Sequence, residues 1–158
     1  MNNGQAQSDE IMAEYDFATH LWKVHEHSDA DKASKVTRAF DGDPHTVWLA
    51  KKQGKVPPSL AIDLGEELSI SGFTYMPALD ENQQGNIYSY DFYTSKDGLK
   101  WTKVLNKRNF GNLKNNPIRQ QVKFSKRESA RFIKIDAIAG VEPGVSYISI
   151  GEIGVIVD

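Results

Sequence analysis

YISIGEIGVIV, residues 147 to 157, is the stretch whose reading decides the fold. Ile148 and Ile150 hold one parity, while Ile153, Val155 and Val157 hold the other, so the inward face of a strand changes across Gly151-Glu152. One extra residue reverses the side-chain phase of a strand, and glycine tolerates the backbone this requires. The pattern therefore predicts a β-bulge. The side chain it re-aims is Glu152, set among apolar neighbours, and a carboxylate there is costly unless a cation or several donors meet it.

The same two-residue period recurs along the chain. LAIDL (60–64), ISGFTYM (70–76), IYSYDFYTS (87–95), RQQVKF (119–124) and ARFIKIDAIA (130–139) are rich in β-branched and aromatic residues and read as strands. Between them lie Asp63-Leu64-Gly65-Glu66, Lys96-Asp97-Gly98, Asn109 to Pro117 and Gly140 to Gly144, all turn or loop chemistry. About six to eight strands with no long helical stripe predict an all-β antiparallel sandwich or jelly roll. Only Asp9 to Thr19 has a weak helical pattern.

Composition narrows the function. The 158 residues suit one domain, with 39% hydrophobic, 25% charged and 10% aromatic residues, which is globular usage. Nineteen basic against 21 acidic residues give a formal net charge of −2, and no basic block is longer than Lys51-Lys52. Nucleic acid and anionic membrane are poor partners for such a chain, because both need a concentrated positive face. There is no cysteine, which excludes disulfides, thiolate metal sites and cysteine nucleophiles. The polar opening MNNGQAQSDE lacks an apolar signal core and reads as a linker or tail.

A second stretch supplies a candidate partner for Glu152. AFDGDPHTVW (39–48) gathers Asp41, Asp43 and Thr46 around Gly42, a set of hard oxygen donors on a sharp turn. Calcium accepts about six to eight oxygens in loose geometry, so Glu152 could close such a site from the distant strand. An EF-hand is excluded, since Lys52 stands where the bidentate glutamate belongs. The plain alternative is an Asp-Gly turn whose carboxylates face water.

Taken together, Ala39-x-Asp41-Gly42-Asp43-x-x-Thr46-x-Trp48, Ile62-Asp63-Leu64-Gly65, Tyr90-x-Phe92-Tyr93-x-Ser95-x-Asp97-Gly98-x-x-Trp101, Ala130 to Ile135 and Ile150-Gly151-Glu152-Ile153 form a pattern. It resembles the coagulation factor 5/8 type C, or discoidin-like, family, and most closely its family 32 carbohydrate-binding modules. The resemblance runs over roughly residues 20–158 and implies a tail or linker at 1–16 and a jelly-roll β-sandwich over 17–158. It implies a structural calcium held by Asp41, Asp43, Thr46 and Glu152 side chains and by the Arg38 and Gly151 carbonyls. Trp48 and Trp101 are then core residues.

The resemblance also places a sugar at one end of the sandwich, and here the residues depart from the galactose-preferring pattern. Such members carry a histidine after the first tryptophan and an arginine in Tyr-x-Pro-Arg, where this chain has Leu49 and Ala78. Asp29 stands for the acidic member of that set. Loss of two hydroxyl-binding donors removes the usual selectivity for galactose. Replacement ligand contacts at that end are Lys51, Asp80, Asn82, Asn86, Tyr88, Asn112 and Tyr147, with Tyr147 and Tyr88 offering flat apolar faces. The plain reading of these residues is turn-forming amides and tyrosines that cap the core.

Catalysis finds no support in the residues. Asp80, Glu81, Asp91 and Glu142 show no identifiable pairing for glycoside hydrolysis, and no nucleophile elbow, phosphate loop or dinucleotide fingerprint is present. His20, His25, His27 and His45 lack the i,i+4 spacing of a zinc motif; His25 and His27, of one parity, read as exposed on a strand edge, and His45 as facing solvent. The expectation is a non-catalytic, calcium-stapled glycan-binding module. By resemblance it is an accessory domain of a larger extracellular, cell-surface or periplasmic protein that processes or binds glycans. The competing expectation is an adhesion or packing domain that contacts protein or lipid without binding sugar.

Overall fold

Eight strands appear among the residues that the computed structural model describes, 22–28, 36–43, 45–111, 113 and 117–157: β1 (Lys23–His27), β2 (Trp48–Lys51), β3 (Ser59–Met76), β4 (Ile87–Ser95), β5 (Thr102–Asn109), β6 (Gln120–Gly140), β7 (Tyr147–Ile150) and β8 (Glu152–Ile156). The helical pattern at 9–19, Asp29 and Asn112 lie outside the described residues. All the strand pairs are antiparallel, and no α-helix occurs among the described residues. The fold is a jelly-roll β-sandwich, as the sequence predicts.

The two longest strands organise it. The first half of β3 pairs with β1 and with the second half of β6, which continues to β4 and β5. The second half of β3 pairs with β8 and with the first half of β6. The β3–β6 ribbon thus contributes to both layers. Between the halves the register jumps from Asp63↔Phe132 to Leu68↔Ala130 and again between Ile70 and Gly72. The Asp63 to Glu66 stretch expected as a turn is this irregularity inside β3, with Gly65 at φ +85 taking a backbone that glycine adopts freely. At Gly72 a Cβ would lie 2.1 Å from the Val122 carbonyl oxygen, so the ribbon needs a glycine there.

Rings from the two layers meet in the core. Phe73 of β3 stacks on Phe92 of β4 at 4.1 Å between centroids, and Phe110 stacks on both Tyr75 and Tyr90. Leu60, Ile62, Ile133, Ile135, Ile153 and Val155 fill the space around them.

The phase switch at Gly151 differs from expectation. β7 pairs with β2, matching Trp48 to Ile150, whereas β8 pairs with β3, matching Met76 to Glu152. The chain therefore leaves one sheet and enters another at Gly151, and the parity changes because the partner changes. A bulge within one strand is not what reverses it. At the crossing, Gly151 N–H donates to the Met76 carbonyl at 2.9 Å, and a Cβ on Gly151 would sit 2.7 Å from that oxygen.

Candidate functional site

The crossing delivers Glu152 to the 41–46 loop. That loop follows a 3₁₀ helix (Val36–Phe40) whose Ala39 and Phe40 are buried in the core. Short polar bonds shape it: Asp43 N–H donates to Asp41 Oδ1 at 2.9 Å, and His45 N–H donates to Asp43 Oδ1 at 2.9 Å. The Thr46 hydroxyl donates to Asp41 Oδ2 at 2.5 Å, and Gly42 takes φ +78. Gly42 N–H donates to Glu152 Oε1 at 2.6 Å, joining loop to strand. Glu152 is 3% exposed, which makes it the buried acid of this corner.

Glu152 thus meets the loop at Gly42, while the Asp41 carboxylate is engaged by the Asp43 amide and the Thr46 hydroxyl and the Asp43 carboxylate by the His45 amide. The donors are all oxygen, which fits a hard cation such as calcium and argues against zinc. Among the described residues no three or more His, Asp or Glu side chains stand close enough together to form a metal cage. A cation held here would draw on hydroxyl and backbone oxygens beside the Asp41 and Glu152 carboxylates. Arg38 lies in the 3₁₀ helix that leads into the loop, and Gly151 immediately precedes Glu152. His45 is exposed.

A second cluster forms on the β2–β7 ribbon. Trp48, Ala50, Ile148 and Ile150 are buried on its inner face. Lys51 stands opposite Tyr147, and Leu49 opposite Ser149, on the other face. That face meets the 3₁₀ turn Glu81–Gly85: the Ser149 hydroxyl donates to the Asn82 carbonyl at 2.6 Å. The Tyr147 ring closes over Gly85, where a Cβ would lie 2.6 Å from it. Asp80 caps the turn by accepting from Asn82 N–H at 2.9 Å.

Asn86 plays a part the sequence did not suggest. It is 1% exposed, accepts from Ala78 N–H at 2.7 Å and donates to the Ala78 carbonyl at 3.1 Å. Its amide clamps the loop and does not reach the surface, so it positions the cluster instead of contacting a ligand. The buried Tyr75 hydroxyl completes the clamp, donating to the Ser149 carbonyl at 2.7 Å and accepting from Ile87 N–H at 3.0 Å. Burial pushes that hydroxyl above the ordinary tyrosine range. Tyr75, Gly85 and Ser149 were missed as site residues because each reads locally as strand or turn. Lys51, Asp80, Asn82 and Tyr147 come together at this end, whereas Tyr88 is 44% exposed at the start of β4. Ala78 is fully buried and Leu49 half-buried, so neither offers a polar donor to a sugar.

The outer face of the larger layer holds the other surprises. Trp101 is half-buried there and not in the core, with Lys134 Nζ 4.7 Å from its ring and 4.5 Å from that of Tyr93. Asp91 faces Asp136 across the β4–β6 pair and binds Lys103 at 3.3 Å. His25 and His27 lie on edge strand β1, but its register shift between Val24 and Glu26 separates them. His25 packs on Phe132, and His27 sets its edge against Trp48.

Comparison with known proteins agrees with this architecture. A family model described as the F5/8 type C domain matches residues 23–153. A galactose oxidase of Gibberella zeae is 29% identical over 133 residues, covering 80% of this chain and 18% of that protein. The chain spans 18% and 11% of the two curated relatives it matches. Among solved structures, a CBM32 module of Clostridium perfringens in complex with GalNAc-β-1,3-galactose superposes with a TM-score of 0.75 at 25% identity, over 88% of this chain and 97% of that one. The family 32 module of Clostridium perfringens NanJ, in complex with galactose, gives 0.74 at 25% identity over 89% and 97%. Because that family model covers residues 23–153, most of the chain, the chain belongs to the F5/8 type C domain family.

Proposed function

We propose that this domain is a non-catalytic glycan-binding module, with its ligand seated on Tyr147 and the ends of the neighbouring loops. The observation that carries this reading is the Tyr147 ring over Gly85, flanked by Lys51 and braced by Ser149 and Asn82. A sugar needs one flat apolar face to stack on and a few oriented polar groups beside it, and this cluster offers both. Two similar modules are described with galactose-containing ligands, which supports the class of ligand. Leu49 and Ala78 in place of histidine and arginine support a different sugar or a different pose.

We further propose a structural calcium at the corner, held by Asp41, Thr46 and Glu152 with Asp43 and the Arg38 and Gly151 carbonyls. When bound it would supply charge neutralisation for a buried carboxylate and tie loop to strand. The domain then serves a larger extracellular or cell-surface protein by raising its local concentration at a glycan, where modest affinity suffices. A glycan array probed with calcium and again after chelation tests this. Selective signal that Tyr147→Ala abolishes is the expected result. A silent array from a folded protein would move the protein-contact reading to the front.

A further inference from the structure

Beside Tyr147 the chain makes a short, lysine-rich hairpin. Residues 51–56 read KKQGKV, carrying three lysines and no acid, in a protein whose formal net charge is −2. Gln53 and Val56 bridge across the turn, Val56 N–H donates to the Gln53 carbonyl at 3.2 Å, and Gly54 takes φ +59. Lys52 N–H donates to the Ser146 carbonyl at 3.0 Å, which ties the hairpin to the residue before Tyr147. Lys51, Lys52 and Lys55 are all exposed, and none forms an ion pair among the described residues. In the adjoining turn Asp80 is committed to capping Asn82, and Glu81 is the remaining exposed carboxylate.

Lys51 stands opposite Tyr147, and Lys52 and Lys55 extend the same short hairpin; ammonium groups gathered this closely are unfavourable to each other and favourable to an anion. Resting on the reading of Tyr147 as the sugar platform, we infer that the glycan recognised here is anionic. It carries a carboxylate or sulfate group that Lys51, Lys52 and Lys55 meet while the ring stacks on Tyr147. This also accounts for the absent galactose donors: selectivity comes from charge at the edge of the platform and not from a buried hydroxyl contact at Leu49 or Ala78.

The test is an array carrying uronate-, sialate- and sulfate-bearing glycans beside their neutral counterparts, followed by calorimetric titration of the best acidic glycan and its neutral match. Wild type is expected to favour the acidic member by about 10-fold, with the preference falling as salt rises. The double variant K52Q/K55Q, which leaves Lys51 beside Tyr147 in place, is expected to lose most of that preference while keeping its melting temperature and its neutral-glycan affinity. Ranking among the acidic arms identifies carboxylate or sulfate. Equal binding of neutral and acidic glycans would overturn the charge assignment and leave the Tyr147 platform standing. Acidic binding that survives Tyr147→Ala would also overturn it, since the lysines would then be a general polyanion patch. No binding to any glycan would sink both readings.

Discussion

Gly42 and Glu152, 110 residues apart in the chain, are joined by a 2.6 Å hydrogen bond from the glycine amide to the buried carboxylate. The bond explains why both motifs carry their particular residues. Gly42 turns the loop at φ +78 so that its N–H faces inward, and Gly151 lets β8 start close enough to Met76 to deliver the glutamate. A carboxyl group buried this deeply is costly unless donors or a cation meet it, and the Gly42 amide is one such donor.

Calcium is accordingly expected to stabilise the domain. At a concentration about 100 times its dissociation constant a ligand adds about 2.7 kcal/mol, or roughly 5–10 °C in melting temperature for a domain this size. Chelation should reverse the shift, and Glu152→Gln or Asp41→Ala should abolish it. Thermal melts with calcium and with chelator decide this, and a wild-type melt indifferent to calcium would remove the metal from the corner.

Gly151→Ala should destabilise the fold by about 2–3 kcal/mol, because the added methyl meets backbone oxygens of Met76 and Pro77 and not a movable side chain. Urea denaturation measures this. A change under 0.5 kcal/mol, about what a surface substitution gives, would mean that the close crossing is relaxed in solution.

Asn86→Ala should cost about 2–4 kcal/mol, since it leaves the buried Ala78 amide and carbonyl without their partner. The loss should be accompanied by faster hydrogen exchange at Ala78. Unchanged exchange there would show that the loop holds its shape without the clamp.

Asp136 gives a pH prediction of definite sign. Burial, aided by Asp91 directly across the strand pair, holds its proton affinity above the ordinary carboxylate range, against the opposing pull of Lys134, the Tyr93 hydroxyl and Lys103. Because the unfolded chain ionises first, this residue costs stability as pH rises above about 4 and continues to do so at neutrality. Asp136→Asn should raise the melting temperature at pH 7 and leave it unchanged below pH about 4. A gain confined to acid pH would contradict the assignment.

The sequence by itself determined the strand segments, the jelly-roll class, Trp48 as core and the two halves of the Gly42–Glu152 corner. Alternation of apolar residues and turn chemistry are local properties, and a stretch such as 87–95 states them without help from the rest of the chain. Tertiary structure alone decided that 59–76 and 120–140 each run as one strand through both layers. It also decided that the parity change at Gly151 is a change of sheet, that Trp101 lies outside the core under Lys134, and that Asn86 is a clamp. Strands β1, β2 and β5 were illegible because each is short or at an edge and buries few side chains, so the period has too few apolar residues to show. The common reason is that partner and layer are set by contacts between residues far apart in the chain. Tyr147 resting on Gly85, or Glu152 reaching Gly42, depends on where two distant backbones meet, and a one-dimensional pattern does not encode that meeting point.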